Sequence, residues 1–394
     1  MTRRIVFIDE TSEVGGAEVN LLMIAAHLKK IGWLPAIVVP RDGPLSVLLN
    51  QLGIAVYNTP ISAFRSSSVY IRRRYRVPNP FALIINILLG ILWIIRLYRF
   101  LQRFQPAIVH TVSMWSHVFA SIAARLAGCP VVWHFQDIVS PHSGFGIYKK
   151  LLMLWARHIP SRILCISESV ADQFRTDAEV RDNVYVLWNT IDVAKFSLGE
   201  RANNRDNERS FMIGTVARLT PWKGHEVALQ AAQILKRRSI RFRWLFAGDD
   251  SLGSASYRSY LLKLIHKHGL DQDVELVGWV ADMPTFYQSL DVLVHVPTEP
   301  EPFGLVLAEA MAAGLPIIST SGGGAESIVE ASGGILIAPN QPDAVADALA
   351  TLLKSPNELI ERGKAARTAA ETMFSLERYA EQLVGVYTTL SEAR

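Results

Sequence analysis

Residues 301–316 read EPFGLVLAEAMAAGLP, with two carboxylates, Glu301 and Glu309, separated by seven residues. Pro300, Pro302 and Gly304 make the start of this stretch turn-like. Residues 305–313 are strong helix formers, and Gly314 and Pro316 end them. A helix beginning near Phe303 and Gly304 carries unbonded backbone N–H groups and a partial positive charge at its N-terminus. That is a seat for an anion such as a diphosphate. Glu301 stands just ahead of the seat and Glu309 about two turns along the helix. At about 1.5 Å per residue the two are ~12 Å apart, wider than carboxylates that flank one scissile bond. They read as two grips on one extended ligand.

Working outward, the apolar runs 292–296 and 316–319 are short strands on either side of this segment. The alternation continues through the second half. Strands are expected at 211–216, 241–247, 274–277 and 334–337, with helices at 225–238, 257–268, 283–289 and 325–330. Three more helices, 343–354, 357–372 and 376–391, close the chain. Such alternation implies a parallel α/β sheet, in which ligands sit at the carboxyl ends of the strands. Arg218 and Lys223 follow the first strand at that edge. A guanidinium fork and an ammonium five residues apart suit a diphosphate. With the helix N-terminus they form an electropositive seat that stabilises a leaving diphosphate without a metal. Glu301 then reads as a contact to a sugar and Glu309 as a contact to a ribose diol. Asp249 and Asp250 end a strand at the same edge, whereas Asp271 and Asp273 match a metal-holding Asp-x-Asp pattern only in composition.

A looser α/β series occupies the first half, with strands at 4–9, 36–39, 106–111, 130–135, 162–166 and 183–187 and helices at 17–30 and 120–127. Gly15 and Gly16 lie in the loop after its first strand, and His134 and Asp137 at the carboxyl end of another. The fingerprint G-x-G-x-x-G is absent, which argues against a nicotinamide or flavin enzyme. Residues 197–209 are polar, with no large apolar side chain after Leu198, and read as a linker. The expected organisation is a first domain over 1–196, a linker over 197–209 and a second domain over 210–375. A terminal helix over 376–394 packs back on the first domain. With 394 residues, 50% of them apolar, the chain has enough core material for two domains.

Net charge is only +4, yet Arg65, Arg72, Arg73, Arg74 and Arg76 crowd one region. The run from Phe81 to Ile95 follows without a charge, and Arg96, Arg99 and Arg103 come after it on one helical stripe. The reading is one helix over 81–103, apolar nearly all round in its first half. Fifteen uncharged residues fall short of the ~20 needed for a span, and a span would cut an α/β domain in two. Contact with an anionic membrane surface through Arg72–Arg76 and this helix is favoured over a buried core helix. The two cysteines, Cys129 and Cys165, sit in apolar company without metal-type spacing, as in a reducing cytosol. Arg3 and Arg4 precede only four apolar residues before Asp9 and Glu10, unlike a secretory leader.

These motifs resemble the E-x7-E signature of retaining glycosyltransferases of family 4. The resemblance extends to Gly15, Gly16, Ala17 and Glu18 as an N-terminal glycine loop, to Ser167, Glu168 and Ser169, and to Asn189, Ile191 and Asp192. Thr190 stands where the family carries glycine, and 247–250 lacks its G-x-G-P turn. The resemblance implies an α/β protein of GT-B fold, two Rossmann-like domains facing across a cleft. It implies that Arg218, Lys223 and the backbone of Phe303, Gly304 and Leu305 hold the donor diphosphate and sugar. Glu301 contacts the hexose, Glu309 the ribose, and Val280 lies near the base. Gly16 approaches the phosphates, and His134 lies between donor and acceptor. The donor is a UDP- or GDP-sugar, no cofactor or metal takes part, and the anomeric configuration is retained.

The expected function is hexose transfer to a lipid-linked or cell-surface polysaccharide precursor. The expected location is cytoplasmic, peripheral on the inner face of the cell membrane. Two competitors are a nucleotide-sugar epimerase of the same fold and a catalytically idle membrane-associated subunit of a glycan assembly complex. The intact set Arg218, Lys223, Glu301 and Glu309 speaks against the idle subunit. A nucleic-acid binder lacks the expected interleaving of aromatic and basic residues.

Overall fold

The computed structural model describes residues 3–60, 68–71, 75–78, 80–138, 147–197, 210–249 and 255–392. The chain divides into two compact units, Met1–Asn189 with Leu376–Arg394, and Thr190–Ser375.

In the first unit, short apolar runs form β1 (Arg4–Ile8), β2 (Leu34–Val39) and β3 (Ala55–Asn58). Between them lie α1 (Gly16–Lys30) and α2 (Pro44–Gln51), the latter unforeseen in the sequence. A separate antiparallel pair, β4 (Ser68–Ile71) and β5 (Tyr75–Pro78), precedes the next helix. Then come α3 (Pro80–Phe104), β6 (Ile108–Thr111), α4 (Ser121–Leu126), β7 (Val131–Phe135), α5 (Ile147–His158), β8 (Arg162–Cys165), α6 (Glu168–Arg175) and β9 (Val184–Val186). The sheet order is β3-β2-β1-β6-β7-β8-β9, parallel throughout. Strands covered by helices on both faces bury both sets of side chains, which is why they read as unbroken apolar runs.

Helix α3 is covered by protein along one face only. Ala82, Asn86, Trp93, Leu97 and Leu101 are buried. Gly90 lets the helix approach Phe119, whose ring would meet an added Cβ at 2.3 Å, and Trp93 Nε1 donates to Thr59 Oγ1 at 3.0 Å. The remaining circumference is exposed and apolar: Phe81, Ile84, Ile87, Leu88, Ile91, Leu92 and Ile95. Arg96, Arg99 and Arg103 are exposed after it. Ile84–Phe104 is long and apolar enough to cross a bilayer, by length and composition. Arg65, Arg72, Arg73 and Arg74 lie outside the described residues.

The second unit starts earlier than residue 210. Thr190 Oγ1 and Ile191 N–H both donate to the Phe374 carbonyl, at 2.7 and 3.2 Å. Asp192 caps the short α7 (Val193–Phe196) by accepting from Lys195 N–H. These bonds draw 190–197 into the second unit, and 198–209 lie outside the described residues. There follow β10 (Phe211–Val216), α8 (His225–Arg237), β11 (Phe242–Ala247), α9 (Ala255–Lys267), β12 (Val274–Gly278), α10 (Met283–Ser289) and β13 (Val292–His295). After them come α11 (Leu305–Ala312), β14 (Ile317–Thr320), α12 (Gly324–Ala331), β15 (Ile335–Ile337), α13 (Pro342–Lys354) and α14 (Pro356–Met373). The order is β12-β11-β10-β13-β14-β15, again all parallel. Each sheet therefore has one point where strand order reverses: β1 beside β6 in the first, β10 beside β13 in the second.

The chain then returns to the first unit. Helix α15 (Leu376–Glu392) places Tyr379, Leu383, Tyr387 and Leu390 in the core that holds Ile5, Phe7 and Leu28. Tyr387 hydroxyl lies 2.7 Å from His110 Nδ1. His110 packs edge-on to His134 at 5.2 Å, and His117 stacks on Phe135 at 4.4 Å with Nδ1 2.7 Å from Thr111 Oγ1. All three histidines are buried. Loss of solvent around each imidazole pushes His110 well down, His117 to about 3 and His134 to about 4.

They are neutral at pH 7, while in the unfolded chain they take a proton near pH 6.5. Their contribution is therefore present above about pH 6.5 and is lost as pH falls toward 4. His134→Gln, which keeps a polar side chain and removes the titration, is expected to lose about 2 kcal/mol less stability than the unaltered chain between pH 7 and pH 5. Urea unfolding of both proteins at the two pH values measures this difference.

Candidate active site

The strand-order reversal of the second unit places the loops after β10 and β13 side by side, the position at which parallel sheets hold ligands. After β10 the chain passes Arg218 and a 3₁₀ turn, Pro221–Lys223, then enters α8 through Gly224. Gly224 has φ +76°, and an added Cβ would fall 1.7 Å from the Val296 carbonyl oxygen. Only glycine permits so close an approach in that conformation. Thr298 N–H donates to the Trp222 carbonyl at 2.8 Å, tying the two loops together.

That junction brings Lys223 to Glu301. Lys223 Nζ lies 2.5 Å from Glu301 Oε2 and 4.0 Å from the centroid of the Trp222 ring. His295 Nε2, at the end of β13, lies 3.1 Å from the same oxygen. The backbone of Glu301 forms a bridge with Gly323, and Gly324 N–H donates to its carbonyl at 2.7 Å. Gly323 has φ +77°, and an added Cβ would meet the Glu301 carbonyl oxygen at 2.2 Å. Burial alone would push the Glu301 carboxyl up, but its hydrogen bond with His295 and the Lys223 ammonium bring it down to about 2. Glu301 is thus a fixed, fully ionised acceptor.

Gly304, at φ +88°, turns the chain into α11. Phe303 is buried with its ring edge-on to Phe374 at 5.9 Å, so it offers the site backbone rather than side chain. Leu305 opens the helix; Leu307 N–H donates to the Gly304 carbonyl at 2.9 Å, and the N–H groups of Leu305 and Val306 stand at the helix start without an intrahelical acceptor. One face of α11 carries Glu309, half-buried, with Oε2 accepting from the Tyr287 hydroxyl at 2.9 Å. Burial pushes Glu309 up to about 7 against the pull of that hydrogen bond. Arg218 is exposed, and its guanidinium meets no protein partner among the described residues. Val280 is half-buried in the loop after β12, beside the exposed Trp279. Asp249 accepts Leu219 N–H through its backbone carbonyl, and Asp250 lies outside the described residues.

In the first unit, Gly16 is the first residue of α1. The preceding Gly15 N–H donates to Glu18 Oε2 at 2.7 Å. His134 does not stand at the open edge of the sheet as its position suggested. Strand β7 ends at Phe135 as expected, yet the imidazole is only 2% exposed, beside His110. The side chain that follows the strand is Gln136, half-buried, with Oε1 accepting from Asn189 Nδ2 at 3.3 Å.

Arg218, Lys223, Glu301, Phe303, Gly304, Leu305, Glu309 and Val280 all belong to the second unit, and Gly16 and His134 to the first. Sequence reasoning missed His295, Trp222 and Tyr287. His295 left one trace, a polar residue inside the apolar run 292–296. Tyr287 left none, since nothing in a linear reading links it to a carboxylate 22 positions away.

Known proteins resemble this chain in sequence and in fold. The model "Glycosyltransferase Family 4" matches residues 14–195 and "Glycosyl transferases group 1" matches residues 199–369. A D-inositol 3-phosphate glycosyltransferase of Corynebacterium urealyticum is 30% identical over 286 residues, 66% of this chain and 67% of that protein. The capsular polysaccharide biosynthesis glycosyltransferase CapM of Staphylococcus aureus is 26% identical over 72% of this chain and 77% of its own. Among solved structures, Anabaena HepE in complex with UDP-glucose superimposes with TM-score 0.81 at 22% identity, over 98% of this chain and 99% of that one.

Gly224→Ala is expected to cost at least about 2 kcal/mol of stability, through the left-handed conformation and the collision with Val296. Gly224→Ala and the unaltered chain compared by denaturant unfolding give the difference. A loss below 0.5 kcal/mol, roughly the scale of a neutral surface change, contradicts the contact between the loops.

Proposed function

The chain is a member of glycosyltransferase family 4 with the GT-B fold, and on that premise we propose the details of the transfer it carries out. It moves a hexose from a UDP- or GDP-sugar to a lipid-linked or cell-surface polysaccharide precursor, with retention of anomeric configuration. The observation that carries the reading is the meeting of Lys223, Glu301 and the α11 N-terminus at the strand-order reversal. Arg218, Lys223 and the first-turn N–H groups of α11 take the diphosphate, the guanidinium as a fork and the ammonium as a point charge. Glu301 accepts from a hydroxyl of the hexose. Glu309, in its ionised form, accepts from the ribose diol, and Val280 flanks the base. Gly16 is exposed at the start of α1 in the first unit. His134 lies enclosed in its sheet beside His110.

The bond between the anomeric carbon and the diphosphate oxygen breaks as the acceptor oxygen bonds to that carbon from the same face. The acceptor proton passes to the departing diphosphate oxygen. Charge developing on the diphosphate is met by Lys223, Arg218 and the helix N-terminus, already oriented before the bond breaks. No metal is required for this stabilisation, and no cofactor takes part. HepE, whose structure carries UDP-glucose, and CapM, a capsular polysaccharide enzyme by name, support the donor and acceptor classes.

The exposed apolar face of α3, with Arg96, Arg99 and Arg103 after it, supports contact with an anionic membrane surface on the cytoplasmic side. Each arginine near such a surface adds about 1 kcal/mol.

A panel of UDP- and GDP-sugars, scored by nucleotide release with and without membrane extract, tests the transfer. We expect Lys223→Ala to lower turnover by about 100-fold or more and EDTA to leave it unchanged. Activity abolished by EDTA refutes the metal-free step. In flotation with anionic vesicles, the double change Leu88→Glu with Arg99→Glu is expected to weaken binding at least tenfold, roughly the worth of one apolar and one cationic contact. Unchanged flotation refutes the membrane face.

A further inference from the structure

Glu301 is held at one oxygen by two donors of different kinds. Lys223 brings a mobile ammonium on a flexible stem, and that ammonium is also a ligand for phosphate under the function proposed above. His295 brings an imidazole fixed in the sheet. It ends β13, pairs in register with Ser319 of β14, and is 1% exposed. Its Nε2 lies 3.1 Å from Oε2, and with the carboxylate ionised it is Nε2–H that donates. Its Nδ1 is buried without a hydrogen-bond partner. A polar ring in an otherwise apolar strand, with one nitrogen unsatisfied, costs stability unless the other nitrogen has a task.

The task follows from what happens at Oε2 when a ligand arrives. A diphosphate carries more negative charge than a carboxylate and draws Lys223 toward itself. Glu301 is then a buried carboxylate that has lost its ammonium, and a buried charge without a partner reorients or takes up a proton. The backbone of Glu301 is already fixed by Gly323 and Gly324, so only the carboxyl torsions remain free. We propose that His295 is a positioning residue for Glu301: its Nε2–H keeps Oε2 engaged while Lys223 turns to the donor diphosphate, and Oε1 stays aimed at a hydroxyl of the transferred sugar.

The inference rests on the reading of Glu301 as a sugar contact and Lys223 as a diphosphate contact. It separates the two halves of the donor. The diphosphate is held by Arg218, Lys223 and α11, none of which needs His295. The sugar is held through Glu301, which does.

The test uses the full chain with the nucleotide sugar that the panel identifies, and with the corresponding nucleoside diphosphate as binding probe. His295→Ala is expected to lower kcat by about 10- to 100-fold, the loss of one positioned hydrogen bond. Its Kd for the nucleoside diphosphate is expected to stay within threefold of the unaltered chain. His295→Gln, whose amide can donate from a similar position, is expected to recover most of the lost turnover. In a Glu301→Gln background, His295→Ala is expected to change turnover less than twofold, because its effect passes through that carboxylate. Turnover of His295→Ala within twofold of the unaltered chain overturns the inference. So does an equal loss of nucleoside diphosphate affinity, or a full independent loss in the Glu301→Gln background. If His295→Ala does not fold, His295→Gln decides: near-normal kcat supports the role, and a loss equal to Glu301→Gln overturns it. Absence of turnover and of donor binding in the unaltered chain, with every nucleotide sugar, overturns the functional reading and this inference with it. Unaltered turnover in the variant overturns only the positioning role.

Discussion

The close approach of Gly224 to the Val296 carbonyl is the constraint on which the second unit's site depends. Two adjacent parallel strands, β10 and β13, send their following loops to the same sheet edge. A side chain at 224 would force those loops apart, and Lys223 and Glu301, 78 positions apart in the chain, would not meet. A carboxylate as enclosed as Glu301 needs compensation within hydrogen-bond reach. The glycines at 224 and 323 therefore do electrostatic service although they carry no charge, because each removes the bulk that would separate Glu301 from a partner.

One short segment holds two carboxyl groups with opposite acidities. Glu301 is drawn down to about 2 and Glu309 is pushed up to about 7. The difference lies in what reaches them. Glu301 meets an ammonium and an imidazole, whereas Glu309 meets a neutral phenol and an apolar helix. Environment alone gives the same side chain two kinds of behaviour. In the first unit the polar centre is instead a set of neutral imidazoles tied to Thr111 and Tyr387, a structural device with no counter-charge.

Much of this was legible in the sequence, for definable reasons. The parallel sheets were readable because strands buried on both faces write unbroken apolar runs such as 5–8 and 292–294. The turn and helix at 301–313 were readable because glycine, proline and alanine mark their own boundaries. The placing of Arg218 and Lys223 at the sheet edge followed from their position just after an apolar strand. What stayed hidden were relations between side chains far apart in the chain. His134 sits at the expected strand end, but the face its ring takes, inward beside His110, is not written in the local pattern. Period-two alternation makes such positions sensitive to a one-residue shift. The pairing of Lys223 with Glu301 and of Tyr287 with Glu309 needs the sheet order, which local pattern does not contain. The pair β4–β5 was hidden because its strands, SVYI and YRVP, are only four residues each and lie among serines, arginines and prolines.

Helix α15 has a consequence for how the protein is made. It supplies Tyr379, Leu383, Tyr387 and Leu390 to the core of the unit built from the first 189 residues. The intervening 186 residues, 190 to 375, are synthesised first, and at about 5–20 residues per second that takes roughly 10–40 s on the ribosome. During that interval the apolar surfaces of Trp33, Leu21 and Ile24 await a helix that does not yet exist. The nascent first unit must either dwell in an incompletely covered state or be shielded by a chaperone, while the second unit, contiguous in the chain, is free to close as soon as it emerges.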